Sequence, residues 1–284
     1  MTNRGEGMGR SNDLERYFRH NGGRQIHKWL HYFDVYDRHF SRFRGRPVTV
    51  VEFGVQFGGS MQMWQDYFGP EARFVGVDID PRCRSWEDAQ TTIMIGDQAD
   101  REFLRTVGDA AGTIDILIED GGHRPAQQIA TFEELYPRMS TDGVFLIEDL
   151  HTSYWPSYDG GLRREGTFIE YAKNLTDGLN AYHSRQPDFV VDEFARTTRS
   201  MHFYDSIVVF ERGAVSPPTH EKTGLASWDP AVQAARARRV QPDDALHRRV
   251  RAAVPKPVRD AFWKARRRVR REVRQLRRRV SGSR

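Results

Sequence analysis

The chain has 284 residues, 38% of them hydrophobic, enough for one α/β domain with a sizeable core and appendages. Its single cysteine, Cys83, excludes an internal disulfide and a cysteine-built zinc cage, which fits a reducing, cytoplasmic setting. The net charge of +5 hides a division: 19 Lys and Arg face 4 acids from residue 236 onward, against 25 and 35 before it, so a basic tail follows an acidic body.

No apolar run approaches the roughly 18 residues that a bilayer span needs, and Met1–Arg10 is too polar for a leader core, so neither export nor membrane insertion is expected. Residues 1–24 read as a flexible N-terminus. From Ile26, the residues Trp29, Leu30, Phe33, Tyr36, Phe40 and Phe43 recur at helical spacing and predict a helical cap ahead of the first strand. Val48–Phe53 is a β-branched run without polar alternation until its end, as in a strand buried on both faces. A helix over Ser60–Phe68 and strands over Arg73–Val77 and Thr92–Ile95 follow. Two acidic strands come next, Ile114–Glu119 and Val144–Ile147. Between them Pro125 suits the first position of a helix whose buried stripe is Ile129, Phe132, Leu135, Tyr136 and Met139.

Residues 151–185, rich in glycine and aromatics, read as a lid, with further strands at Asp188–Val191 and Ser206–Phe210. One α/β domain over 25–215 is expected, then a linker and an Arg-rich helix within 216–284, with Val258, Phe262, Ala265, Val269, Val273, Leu276 and Val280 on one face. Such a helix suits an anionic membrane surface or an acidic partner; nucleic acid is not the expected partner.

The first strand runs into Glu52-Phe53-Gly54-Val55-Gln56-Phe57-Gly58-Gly59-Ser60. Glycines let the backbone turn tightly beside a ligand, and Ser60 suits a helix start. Gly54 and Gly58 have three residues between them, so the G-x-G-x-x-G dinucleotide fingerprint fails, and no Gly-Lys-Ser or Gly-Lys-Thr follows to make a P-loop. The second strand ends in Asp78, about 20 residues beyond the glycine loop, where a carboxylate accepts both ribose hydroxyls. The third ends in Asp97-Gln98, which suits an adenine edge. Asp80 reads as an ordinary turn aspartate. Together these features call for a nucleoside without a polyphosphate, and their order resembles the class I S-adenosylmethionine-dependent methyltransferases. Glu52, Gly54, Gly58, Ser60, Asp78, Asp97 and Gln98 are the expected cofactor residues.

The acidic strands end in Glu119-Asp120-Gly121-Gly122-His123 and Glu148-Asp149-Leu150-His151. In an open parallel sheet both tips face the ligand crevice, and clustered carboxylates repel unless a cation lies among them. Hard oxygen donors favour Mg²⁺, Mn²⁺ or Ca²⁺. His123, three residues beyond Asp120 across two glycines, suits a general base at neutral pH. Glu119 is open between a buried acid and a support for the ligands; His151 between a base, a ligand and a loop residue. Tyr154, Trp155 and Tyr158 suit stacking on a sugar ring.

This pairing, with Ile147-Glu148-Asp149-Leu150-His151-Thr152-Ser153-Tyr154-Trp155 and the later Met201-His202-Phe203-Tyr204-Asp205-Ser206, resembles the metal-dependent sugar O-methyltransferases of macrolide biosynthesis over residues 25–212. The resemblance implies a Rossmann-like fold with a mostly parallel seven-stranded sheet flanked by helices, and S-adenosylmethionine and Mg²⁺ (or Mn²⁺) as cofactors. It further implies Asp120, Glu148 and Asp149 as metal ligands, His123 with Asp120 as the catalytic pair, a small-molecule or glycan acceptor, and a homo-oligomer. Competing readings are a catechol-type O-methyltransferase, a metal-dependent hydrolase or hydroxylase, and a binding module that docks through its tail.

Overall fold

The computed structural model describes residues 12–186, 189–224 and 229–239. Two compact units divide the chain, residues 1–218 and residues 219–284. The second unit contains one described helix, α8 (Pro230–Arg239). The predicted Arg-rich helix over 258–280, and the membrane or acidic-partner contact ascribed to it, lie outside the described residues.

In the first unit, helices α1 (Asp13–Arg19) and α2 (Tyr32–Phe40) precede strand β1 (Thr49–Phe53). Then come α3 (Gly59–Phe68), β2 (Arg73–Asp78), β3 (Thr91–Ile95), α4 (Arg101–Ala111), β4 (Ile114–Glu119), α5 (Pro125–Leu135) and β5 (Met139–Ile147). Helices α6 (Phe168–Leu179) and α7 (Glu193–Thr197) lead to β6 (Thr198–Tyr204) and β7 (Ile207–Arg212). The seven strands lie in the order β3-β2-β1-β4-β5-β7-β6. Strands β1 to β5 are parallel, and β7 enters antiparallel between β5 and β6.

Side-chain alternation explains why the central strands read as continuous apolar runs. Val50, Ile116, Ile118, Val144, Leu146 and Val209 point to one face and join Tyr36, Phe40 and Trp64 of α2 and α3. Val51, Phe53, Leu117, Phe145, Ile147, Val208 and Phe210 point to the other and join Leu104, Phe132 and Phe168 of α4, α5 and α6. A sheet covered on both faces needs apolar residues at successive positions. Chain order reverses between β1 and β4, which opens a crevice at their carboxyl ends.

Several expectations change. Residues 13–19, expected within a flexible N-terminus, form α1: Asn12 accepts from the Glu15 N–H at 2.9 Å, and Leu14 is fully buried. The helix expected from Ile26 begins at Tyr32, because residues 25–29 run without helix over the first turn of α3. A Cβ on Gly59 would lie 2.2 Å from the Gln25 carbonyl oxygen, so only glycine admits that crossing. Phe189–Val191 is not a strand, and Asp188 lies outside the described residues. Helix α4 and strand β6 are additional to the predicted elements. Residues 151–185 contain short 3₁₀ turns and α6, whose Phe168 and Ala172 are buried, so that helix belongs to the packed body.

Candidate active site

The crevice is a cleft of about 220 Å³ lined by Gly54, Gln56, Asp78, Asp97, Gln98, Asp120 and Gly122 among others. Gly54 has φ +88°, and a Cβ there would lie 2.0 Å from the Asp120 carbonyl oxygen. The glycine loop therefore packs directly on the β4 tip. Asp78 accepts from the Gln56 N–H and the Asp80 N–H, both at 2.9 Å. Its carboxylate thus holds the glycine loop and still faces the cleft.

Not every expected cofactor residue faces that space. Glu52 is fully buried and accepts from Ser60 Oγ at 2.8 Å and Trp64 Nε1 at 2.9 Å. Burial pushes its carboxyl up to about 7, against the Lys28 ammonium and the Trp64 hydrogen bond. Glu52 thus ties β1 to α3, and Ser60 spends its hydroxyl on the same bond. Gln98 does line the cleft, though it is mostly buried. Its amide donates to Glu119 Oε1 and Thr131 Oγ1, while its oxygen accepts from the Gly122 N–H at 3.2 Å. With both ends of its amide engaged, Gln98 props the Gly121-Gly122 turn while still lining the cleft. Gly58, with φ +72°, lies under the Trp86 ring, and Asp97 lines the cleft with one oxygen on the Ala99 N–H.

Beside this cleft lies a smaller, polar one lined by Lys28, Gly54, Gln56, Ser60, Asp120, His123 and Asp149. Asp120, His123 and Asp149 each offer a ligand atom, all within 4.8 Å of one another. His123 Nε2 is 3.5 Å from Asp149 Oδ2 and 3.9 Å from Asp120 Oδ1. Both His123 and Asp149 hold positive φ, 55° and 54°, an uncommon conformation for residues with a side chain. Neighbouring contacts hold it: Thr152 Oγ1 donates to the His123 carbonyl at 3.1 Å, and Tyr32 OH donates to Asp149 Oδ1 at 2.7 Å.

Glu148 points into the protein. It is 1% exposed, its Oε2 accepts from Lys28 Nζ at 2.8 Å, and its Oε1 has no partner. The same ammonium donates to Asp120 Oδ2. Burial opposes the charge on Lys28, but Asp120, Glu148 and Glu52 outweigh it and hold the ammonium well above its ordinary value. Burial and Asp120 push the Glu148 carboxyl up against the opposing Lys28. Lys28 and Tyr32 were absent from the expected site. Glu119 is fully buried under the turn, where burial raises its carboxyl. His151 Nδ1 shares a hydrogen bond with Ser206 Oγ at 2.6 Å, and the ring sits between Trp29 and Trp155.

The carboxylates fit a hard divalent ion: Asp120 and Asp149 converge beside His123, and Glu148 Oε1, without a hydrogen-bond partner, stands behind them. A second set, His39, His202 and Glu211, satisfies itself, since His39 bonds Glu211 at 2.6 Å and Tyr204 OH at 2.9 Å.

A sheet of this order with a cleft at its reversal defines the class I methyltransferase fold. Residues 51–150 match the family described as a methyltransferase domain. The fold is shared, at TM-score 0.67 and 28% identity over 80% of this chain and 60% of the other, with the MycE methyltransferase of mycinamycin biosynthesis, solved with Mg, SAH and mycinamycin VI. A tetracenomycin-C rhamnosyl 2'-O-methyltransferase of Streptomyces olivaceus is 38% identical over 66% of this chain and 52% of its own length. The mycinamicin VI 2''-O-methyltransferase of Micromonospora griseorubida is 32% identical over 71% and 52%. The chain spans about half the length of the curated relatives it matches. It belongs to the methyltransferase family that includes the sugar O-methyltransferases of macrolide and polyketide biosynthesis.

Proposed function

We propose that the protein transfers the methyl group of S-adenosylmethionine to a hydroxyl on the sugar of a glycosylated natural product, assisted by Mg²⁺ or Mn²⁺. The observation that carries this reading is the sharing of residues between two adjoining clefts: Gly54, Gln56 and Asp120 line both the crevice beside Asp78 and Asp97 and the polar cleft. A methyl donor held in the first would present its sulfonium end to the second. When bound, the cofactor supplies an electrophilic methyl and the ion lowers the pKa of the acceptor hydroxyl.

The protein's own residues do the remaining work. Asp78 and Asp97 bind the ribose and base side of the cofactor, and Gly54 admits it past the β4 tip. Asp120, Glu148 and Asp149 hold the ion. His123 Nε2, 20% exposed as a side chain, accepts the hydroxyl proton as general base. Tyr32 fixes Asp149; burial and the carboxylate beside it push its phenol up, so it stays a neutral donor. Trp29 and Trp155, 51% and 47% exposed on either side of His151, offer flat apolar faces for a sugar ring.

The test is incubation with S-adenosylmethionine, Mg²⁺ and a panel of rhamnosylated polyketides, macrolide glycosides and catechols. Support is release of S-adenosylhomocysteine with one methyl added to a sugar, lost in EDTA. Methylation confined to catechols would replace the acceptor class, and hydrolysis without S-adenosylhomocysteine would replace the reaction.

A further inference from the structure

Among the described residues Lys28 is the one Lys or Arg paired with Asp120 and Glu148. Its side chain is 3% exposed, and its two partners are 18% and 1% exposed. Buried carboxylates this close need a cation or a proton among them, and in the chain by itself the Lys28 ammonium supplies the cation. It reaches there from a segment anchored at both ends. The Gln25 carbonyl lies on Gly59, Arg24 stacks on Trp86 at 4.2 Å and accepts the amide of Asn21 at 2.8 Å, and Tyr32 on the far side is bonded to Asp149. Lys28 is thereby presented to the acids by packed backbone.

The two carboxylates that Lys28 holds are also two of the three that the preceding reading gives to the metal. A divalent ion entering there needs oxygens with free lone pairs, and a full ammonium charge in contact with both opposes its entry. We propose that Lys28 is an internal counter-cation that competes with the divalent ion for Asp120 and Glu148, keeping the acid site assembled without metal and yielding those oxygens when metal binds. The proposal rests on the metal reading of the site.

The experiment uses the full chain as wild type, Lys28→Met and Lys28→Arg. Free Mn²⁺ is followed by electron paramagnetic resonance during titration, and thermal unfolding is measured in EDTA and in saturating Mn²⁺. Lys28→Met is expected to bind Mn²⁺ at least ~10-fold more tightly than wild type, since a repelling charge beside the ligands is gone. It should also unfold at lower temperature in EDTA and recover with Mn²⁺. Lys28→Arg keeps the charge and should not bind more tightly than wild type.

A folded Lys28→Met whose Mn²⁺ affinity is unchanged or weaker overturns the proposal while leaving the metal reading standing. Failure of wild type and variants alike to bind Mn²⁺ overturns both. Should Lys28→Met not fold, acetylation of Lys28 in the wild type, read by mass spectrometry, decides the matter. Labelling that rises on adding Mn²⁺ supports exchange, and equal labelling with and without Mn²⁺ overturns it.

Discussion

The two halves of the cleft are held by different means. The cofactor half is local: Asp78 ends β2, Gly54, Gln56 and Asp97 lie in short loops straight after strands, and Asp78 fixes the glycine loop by accepting from a backbone N–H. The acid half is assembled from afar, with Lys28 meeting residues 92 and 120 positions later and Tyr32 meeting one 117 later. Local loops follow from strand ends, whereas the acid half depends on the N-terminal segment packing across the sheet. Binding of the cofactor and presentation of the acids are therefore separable, and substitutions in one half should spare the other.

The largest expected effect tests that separation in the acid half. His123→Ala should lower kcat by roughly 10²–10⁴-fold, the usual weight of a general base, with S-adenosylhomocysteine affinity unchanged by calorimetry. Gly54→Ala attacks the seam between the halves. Its Cβ would meet the Asp120 carbonyl, so a loss of about 2–5 kcal/mol in urea unfolding is expected, with both halves impaired.

Asp78→Ala is confined to the cofactor half. Loss of a charged hydrogen-bonding group should weaken S-adenosylhomocysteine by about 10–100-fold and leave Mn²⁺ affinity intact. The smallest effect concerns pH. Glu52, ordinarily near 4.5, is held at about 7 in the fold, so the folded chain binds the extra proton between those values. Stability from this group is present below pH 4.5 and is lost as pH rises to 7. Glu52→Gln should flatten that part of the stability profile, measured by thermal unfolding across the same range.

What the sequence made readable follows the same division. The place of Asp78 and the glycine loop at the crevice was legible because both lie within a few residues of a strand end, and the apolar runs over β1, β4 and β5 announced a sheet covered on both faces. Glu52 and Gln98 show what spacing leaves out: both occupy motif positions, and Ser60, Trp64, Glu119 and Thr131 bond their polar atoms. Burial of that kind depends on packing that no spacing rule contains. Lys28 left a faint trace, being one of five lysines in a chain whose other basic residues are arginines. The positive φ of His123 and Asp149 left none, because neither residue type demands it.

The measurement that tests the account most directly is calorimetric titration of S-adenosylhomocysteine into wild type, Asp78→Ala and His123→Ala. Micromolar binding to wild type and His123→Ala, lost or greatly weakened in Asp78→Ala, is the predicted result. Absence of binding to any of the three, with each protein folded, would contradict the assignment of the crevice to a methyl donor.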